Sequence, residues 1–220
     1  MPTVVFVSPK GGVGKTTSAL LLALGLVEHG HRVALVDSDP NLPLTAWGAL
    51  PGRPEAVSLF QAPTFADLPA ALRRARADHE WIVIDTEGGA PRMGGWAIAE
   101  ADLVVTPLAA SALEAREAAK VFSQVADMER RQGRRIGCAC LFARTPAGAR
   151  RSVRDLRAAL ARDGRVVLDT ALTDKEAFRA LFTLGGPLSA INRRNVSGVA
   201  SAQALVTAYT RDVMTALEAA

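Results

Sequence analysis

The residues with the clearest chemistry form a glycine-rich segment near the amino terminus, Lys10-Gly11-Gly12-Val13-Gly14-Lys15-Thr16-Thr17. Glycines allow consecutive backbone N–H groups to surround phosphate oxygens, and a helix that begins after them adds its positive end. Lys15 would bind the β- and γ-phosphates of a nucleotide, and the Thr16 hydroxyl would bind Mg²⁺. The segment therefore predicts a binding site for a nucleoside triphosphate.

Aspartates end two of the apolar runs that follow this segment. The first run ends in Val36-Asp37-Ser38-Asp39-Pro40-Asn41, and the second is Trp81-Ile82-Val83-Ile84-Asp85. Phosphoryl transfer needs little from a protein base beyond positioning, so one carboxylate near the terminal phosphate is sufficient. In an open parallel sheet, ligands bind at the carboxyl ends of the strands. We therefore expect the loops after Ser8, Asp37 and Asp85 to form one site.

Apolar runs alternate with helix-length amphipathic segments along the whole chain, a pattern typical of a parallel sheet covered by helices. The runs are continuously apolar, as expected where both faces of the sheet are buried. The predicted strands are Thr3–Ser8, Arg32–Asp37, Val57–Gln61, Trp81–Asp85, Leu103–Pro107, Ile136–Ala143 and Val166–Asp169. The predicted helices are Lys15–Glu28, Phe65–Asp78, Ser111–Arg131, Arg150–Arg162, Lys175–Leu184 and Ser197–Ala219. The pattern predicts an α/β fold, with a mostly parallel twisted sheet and helices on both faces.

The overall composition is typical of one globular domain covering residues 1–220. With 49% hydrophobic and 22% charged residues, the chain can bury a core without disulfides, and disordered or collagen-like classes are excluded. Cys138 and Cys140 are too few and too close for a disulfide framework and indicate a reducing cytoplasm. No apolar stretch reaches the roughly 18 residues of a membrane helix, so we expect a soluble, cytoplasmic protein.

Positive charge is concentrated in one part of the sequence. The formal net charge is +4, whereas residues 130–165 carry eleven arginines and two aspartates, a net charge of +9. A basic segment on an otherwise acidic chain favours a polyanionic partner, although such segments are also common on solvated surfaces. On a helix, Arg150, Arg154 and Arg157 fall within about 60° of one another. This stripe would contact nucleic-acid phosphates without reading bases.

The segment from Lys10 to Thr17 resembles the deviant Walker A loop of the ParA/MinD family of ATPases. The ordinary P-loop pattern has a glycine where this chain has Pro9, and the deviant loop adds a second lysine, here Lys10. The resemblance implies a P-loop NTPase fold, ATP and Mg²⁺ as cofactors, and a homodimer that forms with ATP. It also implies that Lys10 reaches the partner subunit's phosphates, so that Lys10 and Lys15 both serve catalysis. An added cation offsets the repulsion between two nucleotides buried face to face.

The acidic segments are similar to further motifs of the same family. The resemblance implies that Asp39, before Pro40, orients the attacking water, and that Asp37 lies near Mg²⁺ as an outer ligand. The apolar run ending at Asp85 resembles a Walker B strand. Asp85 would therefore hold Mg²⁺ directly or through water, together with Thr16.

The segment Thr86-Glu87-Gly88-Gly89 follows the Walker B-like strand. In the family, a loop here orders with ATP, and the Gly88 N–H would reach the γ-phosphate as a switch. The commonest family pattern has a proline soon after the aspartate, whereas this chain places the charged Glu87 there.

ParA-type relatives bind DNA non-specifically as ATP dimers, and the basic residues of this chain fit that activity. The candidate DNA contacts are Arg150, Arg151, Arg154, Arg157, Lys175, Arg179, Arg193 and Arg194. The resemblance implies a nucleoid-associated ATPase that leaves DNA after slow hydrolysis, which a ParB-like or cargo-adaptor partner stimulates. Its cargo would be a plasmid, a chromosome region or a protein cluster.

Two alternatives remain open within this class of ATPases. A MinD-like membrane ATPase uses a C-terminal helix with basic and bulky apolar residues, whereas residues 200–220 contain one arginine, Arg211, among mostly Ala, Thr and Val. That composition predicts a packing helix and no membrane partner. The other alternative is a P-loop ATPase of cofactor or iron–sulfur metabolism. Cys138 and Cys140 alternate onto one face of a predicted strand, which favours buried thiols over cluster ligands.

Overall fold

The computed structural model describes residues 1–89, 91–146 and 148–220. Within them, seven parallel strands form one sheet: β1 Thr3–Phe6, β2 Val33–Ser38, β3 Val57–Gln61, β4 Trp81–Thr86, β5 Leu103–Leu108, β6 Gly137–Phe142 and β7 Val166–Val167. The order across the sheet is β3-β2-β4-β1-β5-β6-β7. The helices are α1 Lys15–Glu28, α2 Pro43–Gly48, α3 Leu68–Asp78, α4 Pro91–Glu100, α5 Ala112–Gln132, α6 Arg150–Arg162, α7 Glu176–Leu184 and α8 Val199–Glu218, with a 3₁₀ turn at Leu188–Ala190. This architecture confirms the predicted fold class.

The central strands are buried on both faces, which explains their continuous apolar sequence. In β1, Val4 and Phe6 pack with the α1 and α8 side, whereas Val5 packs with the α3, α4 and α5 side. Strand β2 divides in the same way, with Leu35 on the first side and Val36 on the second. Successive residues of a strand point to opposite faces, so a strand between two helical layers needs apolar residues throughout.

Helix α8 packs against α1. Its buried residues are Val199, Ala202, Val206, Tyr209, Thr210 and Val213. The Tyr209 hydroxyl donates to the Ser18 carbonyl at 3.2 Å, and Gly25 of α1 allows Thr210 to approach closely. The apolar face of the C-terminal helix is therefore used inside the fold, as the composition of residues 200–220 predicts. Among the described residues, no helix has both the length and the apolar character needed to cross a bilayer.

The sequence pattern does not predict helices α2 and α4. Helix α2 has six residues and is held by Asp37, whose Oδ2 accepts a hydrogen bond from the Thr45 N–H at 2.7 Å. Helix α4 contains Gly94 and Gly95, which are poor helix formers. A β-carbon at Gly94 would lie 3.4 Å from the Val7 side chain, which is van der Waals contact, so this part of α4 packs directly on the sheet.

Candidate nucleotide-binding site

The glycine-rich segment forms a loop between β1 and α1. Gly12 and Gly14 have φ angles of +74° and +100°, a region that residues with a β-carbon rarely adopt. Gly14 immediately precedes Lys15, the first residue of α1, so the amino end of the helix faces the loop. Arg144, after β6, donates to the Gly12 carbonyl at 2.6 Å and fixes the loop from outside. The loop thus has the shape and the helix terminus that phosphate binding needs.

Lys15 is buried beneath this loop, with 5% of its surface exposed. Its Nζ donates to the Lys10 carbonyl at 3.3 Å. Burial lowers the pKa of Lys15, and the nearby carboxylates of Asp85, Asp39 and Glu87 offset part of that effect. Phosphate oxygens would supply the counter-charge that this buried ammonium needs.

Asp37 and Asp85 lie side by side at the carboxyl edge of the sheet, as register partners on β2 and β4. Both are fully buried, and both oxygens of Asp85 and Oδ1 of Asp37 have no hydrogen-bond partner among the described residues. Burial raises the pKa of Asp85 to about 7. The nearby Thr16 hydroxyl lowers this pKa, although no hydrogen bond of ordinary geometry joins the two side chains, and the Asp37 carboxylate raises it. Burial also raises the pKa of Asp37.

Unpaired buried carboxylate oxygens beside a threonine hydroxyl fit a hard divalent cation such as Mg²⁺. Within the part of the chain that the structure describes, no cluster of three His, Cys, Asp or Glu side chains could hold a metal ion by itself. This donor set is compatible with Mg²⁺, which usually takes one or two protein ligands and completes its shell with nucleotide phosphates and water.

Asp39 lies at the rim of the same site and lines its cavity. Its Oδ1 accepts hydrogen bonds from the backbone N–H and the side-chain amide of Asn41, at 2.8 and 2.9 Å. This turn fixes the position of the carboxylate without burying it completely. Asp39 thus reaches the same cavity as Lys15 and Thr16.

Gly88 packs directly on the phosphate loop. A β-carbon at this position would lie 2.8 Å from the Gly11 Cα and 2.9 Å from the Lys15 Nζ. Glycine is therefore required for the loop after β4 to approach the site this closely. This loop borders the cavity, as expected for a segment that responds to the terminal phosphate.

The cavity has a volume of about 320 Å³, and part of its wall comes from residues that the sequence does not identify. These residues lie after β6, after β7 and on α7: Ala143, Arg144, Leu172, Thr173, Asp174, Phe178 and Phe182. Leu172, Phe178 and Phe182 supply apolar surface, which the glycine-rich loop lacks. Their positions are more than 120 residues from that loop in sequence, so no local pattern marks them.

Lys10 lies in the phosphate loop, and just over half of its side chain is exposed. Its Nζ forms an ion pair with Glu114 of the same subunit, near the start of α5. The Glu114 side chain is 7% exposed. The sequence does not identify Glu114 as part of the site.

Comparison with known proteins identifies the family of this chain. The sequence profile of the VirC1 protein family matches residues 1–220. The protein ParA of Rhizobium radiobacter is 31% identical over 221 residues, which cover 99% of this chain and 100% of that protein. The chain belongs to the VirC1 family. At the level of the wider group, this VirC1-family chain is a ParA/MinD-type ATPase, as the motifs predict.

Solved structures of ParA/MinD-type proteins share the fold of the VirC1-family chain. An ATP complex of McdA from Cyanothece matches with a TM-score of 0.76 at 16% identity, covering 97% of this chain and 96% of that one. MinD from Pyrococcus horikoshii, complexed with Mg-ADP, matches with a TM-score of 0.67 at 19% identity, covering 94% of each chain. These likenesses confirm the fold.

The predicted DNA contacts of the VirC1-family chain fall into separate groups. Arg150, Arg151 and Arg154 are exposed along the first half of α6. Arg157, on the same helix, is bonded to the fold: it donates to the Leu168 and Asp169 carbonyls at 2.6 and 3.0 Å. Arg157 therefore differs from the three exposed arginines of α6, because its guanidinium holds the segment that follows β7.

A second group lies around the start of α8. Lys175 donates to the Ser201 hydroxyl at 3.1 Å, Arg193 donates to the Gln203 side chain at 3.2 Å, and Arg194 is exposed nearby in sequence. Arg179 is placed differently, because it pairs with Asp174 at 2.6 Å and lines the nucleotide cavity.

The basic segment 130–165 does not form one surface. Because the strands are parallel, α5 ends and β6 begins at the amino edge of the sheet, whereas α6 begins at the carboxyl edge. Arg135 is therefore distant from Arg150, and it pairs with Glu129 at 3.3 Å. Arg165 lies over the Phe122 ring at 4.5 Å. The positive charge of residues 130–165 is therefore divided between the two edges of the sheet.

The two cysteines are free thiols in the sheet. Cys140 is fully buried and Cys138 is partly buried, and burial raises the pKa of both thiols. Raised thiol pKa values disfavour the thiolate form that metal clusters require. The cysteines therefore act as core residues, as their spacing predicts.

Proposed function

We propose that this VirC1-family chain binds Mg·ATP at the carboxyl edge of its sheet, dimerises with ATP, and binds DNA non-specifically until hydrolysis releases it. Its cargo is a plasmid, a chromosome region or a protein cluster that a partner protein connects to the cycle. The observation that supports this most strongly is the pair of buried carboxylates, Asp37 and Asp85, beside Thr16 and Lys15. Among the described residues, both oxygens of Asp85 and Oδ1 of Asp37 have no hydrogen-bond partner.

We assign separate roles to the residues of the site: metal binding, phosphate binding, positioning of water and contact with the base. Thr16 and Asp85 would hold Mg²⁺, with Asp37 as an outer ligand, and the metal would neutralise phosphate charge. Lys15 stabilises the β- and γ-phosphates, and Asp39 orients the attacking water from the rim. The apolar residues Phe178 and Phe182 would contact the base.

The proposed dimer places Lys10 of each subunit on the phosphates of the other. Lys10 belongs to the phosphate loop and just over half of its side chain is exposed, which supports this role. The Gly88 loop contacts both the phosphate loop and Lys15, so the γ-phosphate would change its position and connect nucleotide state to the dimer surface.

The proposed DNA surface contains Arg150, Arg151 and Arg154, with Lys175, Arg193 and Arg194 as a second group. The first three are exposed, and two of them form exposed ion pairs with Asp155, Arg154 at 3.3 Å and Arg151 at 3.7 Å. Exposed pairs of this kind are weak, so phosphates can replace them. Association with the nucleoid follows from non-specific contact with phosphates.

The test is retention of the purified protein on DNA of unrelated sequences, with Mg·ATP, with Mg·ADP and without nucleotide. We expect retention with ATP alone, and its loss when Arg150, Arg151 and Arg154 are changed to Glu. A matched control changes Arg131, Arg135 and Arg162, at the amino edge, to Glu; its retention should stay near that of the wild type. Equal loss in both triple variants would show a net-charge effect and contradict the α6 surface. Equal retention with all nucleotide states would contradict the cycle.

A further inference from the structure

Helix α5 begins with a sequence that can form a capping box. In Ser111-Ala112-Leu113-Glu114, the serine side chain caps the N–H of the glutamate three residues later, and that glutamate normally accepts from the serine N–H in return. The first half of this arrangement is present, because the Ser111 hydroxyl accepts from the Glu114 N–H at 3.3 Å. Ser111 has the extended backbone conformation of an N-cap residue.

The second half of the capping box is replaced by another contact. The Ser111 N–H donates to the Ala109 carbonyl at 2.8 Å, and the Glu114 carboxylate contacts the Lys10 ammonium. Glu114 therefore binds the distant lysine in this structure, and the Ser111 N–H is a second partner that it can reach only if this N–H leaves the Ala109 carbonyl.

The two side chains of this ion pair have unequal surroundings. Glu114 is buried, with 7% of its side chain exposed, whereas 55% of the Lys10 side chain is exposed. Lys10 is the one ion-pair partner of Glu114 among the described residues, and a buried carboxylate that loses its counter-ion is costly. Transfer of the Ser111 N–H from the Ala109 carbonyl to Glu114 would give one carboxylate oxygen a donor and reduce, without removing, the cost of losing Lys10.

We propose that Glu114 holds Lys10 within its own subunit until the phosphates of a partner's nucleotide take the lysine, and that Glu114 then completes the α5 capping box. This inference rests on the proposed ATP dimer. Glu114 is a positioning residue here, because it acts through Lys10 and does not touch the nucleotide. The ion pair between Glu114 and Lys10 competes with dimerisation, because Lys10 must leave Glu114 before it can bind the partner's phosphates. Before ATP is bound, this ion pair keeps Lys10 within its own subunit.

The matched variants are Glu114→Gln and Glu117→Gln. Glutamine can still form the capping box, so Glu114→Gln removes the charge while keeping the cap. Glu117 lies one turn further along α5 and pairs with Lys120 at 2.7 Å, which makes it a control of the same chemistry on the same helix.

The first measurement is the rate at which an amine-acetylating reagent labels each lysine of the nucleotide-free protein, read by mass spectrometry. We expect Glu114→Gln to label Lys10 several-fold faster than the wild type, and Glu117→Gln to accelerate Lys120 alone. Lys175 serves as an internal reference in both variants. Equal Lys10 rates in the wild type and Glu114→Gln would overturn the proposal.

The second measurement is the dimer Kd with Mg·ATP, by sedimentation velocity. Removal of a competing ion pair predicts a Kd about fivefold lower in Glu114→Gln, with unchanged ATP affinity of the monomer. An unchanged or higher dimer Kd would overturn the proposed transfer of Lys10 from Glu114 to the partner's phosphates. If the wild type forms no ATP dimer, the proposed function fails and this transfer fails with it. Faster Lys10 labelling in Glu114→Gln would then identify a fixed contact within one subunit.

Discussion

At the amino edge of the sheet, charged side chains form hydrogen bonds to the backbone, whereas at the carboxyl edge buried carboxylate oxygens have no hydrogen-bond partner among the described residues. Arg134 donates to the Ala99 and Ala101 carbonyls at 2.7 and 2.8 Å, and Asp102 accepts from the Thr3 N–H at 2.8 Å. At the carboxyl edge, both oxygens of Asp85 lack a partner in the part of the chain that the structure describes. The first arrangement stabilises the chain, and the second keeps polar groups available for a ligand at a cost in stability.

Removal of one cation from each edge separates these two roles most strongly. Lys15→Ala should lower ATP affinity at least about 100-fold, because it removes the buried counter-charge of the phosphates. It should not destabilise the nucleotide-free protein, because burial already disfavours the ammonium. Arg134→Ala should lower the free energy of unfolding by about 1–3 kcal/mol and leave ATP affinity unchanged. Titration calorimetry measures the ATP affinity, and urea unfolding measures the free energy of unfolding. Loss of stability in Lys15→Ala together with loss of ATP affinity in Arg134→Ala would contradict the comparison of the two edges.

Gly88→Ala probes how tightly the carboxyl edge is packed. The added β-carbon would meet the Gly11 backbone and the Lys15 Nζ at less than 3 Å, so the loop must move. We expect ATP turnover to fall at least about tenfold, since misplacement by about 1 Å near a reacting group has effects of this size or larger. Gly95→Ala, on α4, meets no atom within 4 Å and is the control. It should keep its turnover, and equal losses in both variants would argue against the contact.

The pH dependence of the free energy of unfolding is a third test of the carboxyl edge, with a smaller expected effect. Burial raises the pKa of Asp85 to about 7, so the nucleotide-free folded state holds a proton that the unfolded state has lost. Stability from this group is present below about pH 4 and is lost as pH rises from about 4 to about 7. Asp85→Asn removes this loss, and its free energy of unfolding should exceed that of the wild type by more at pH 8 than at pH 5. Parallel pH profiles in urea unfolding would contradict the burial effect.

In the wild type, magnesium should oppose the loss of stability that occurs as the pH rises. Binding of a cation requires the ionised carboxylate, so metal and proton compete for Asp85. The stabilisation that Mg·ATP adds should therefore be larger at pH 8 than at pH 6, and this difference should shrink in Asp85→Asn.

Local sequence was sufficient for those parts of the site where one segment does the chemistry. The helix Lys15–Glu28 begins and ends where its pattern predicts, and the glycine-rich loop before it needs no distant residue to be recognised. Asp37, Asp39 and Asp85 follow strand ends, and parallel strands bring such ends to one edge of the sheet.

The rest depends on contacts between distant segments. An arginine that holds a loop, such as Arg157, has the same helical spacing as one that faces solvent, and only the carbonyls that it binds distinguish the two. Arg144 and Phe178 complete the cavity from β6 and α7, and the pairing of Lys10 with Glu114 spans 104 positions. The short strand β7 also reflects tertiary packing, because Arg157 occupies carbonyls of its predicted extension.

The measurement that tests the account most directly is the sedimentation of Asp39→Ala with Mg·ATP and with Mg·ADP. The variant should bind ATP but hydrolyse it slowly, because its water-positioning carboxylate is absent. We therefore predict a dimer with ATP, a monomer with ADP, and a monomer with either nucleotide once Lys10→Ala is added. A single-subunit species with bound ATP, or a dimer that persists without Lys10, would contradict the proposed ATP-dependent pairing.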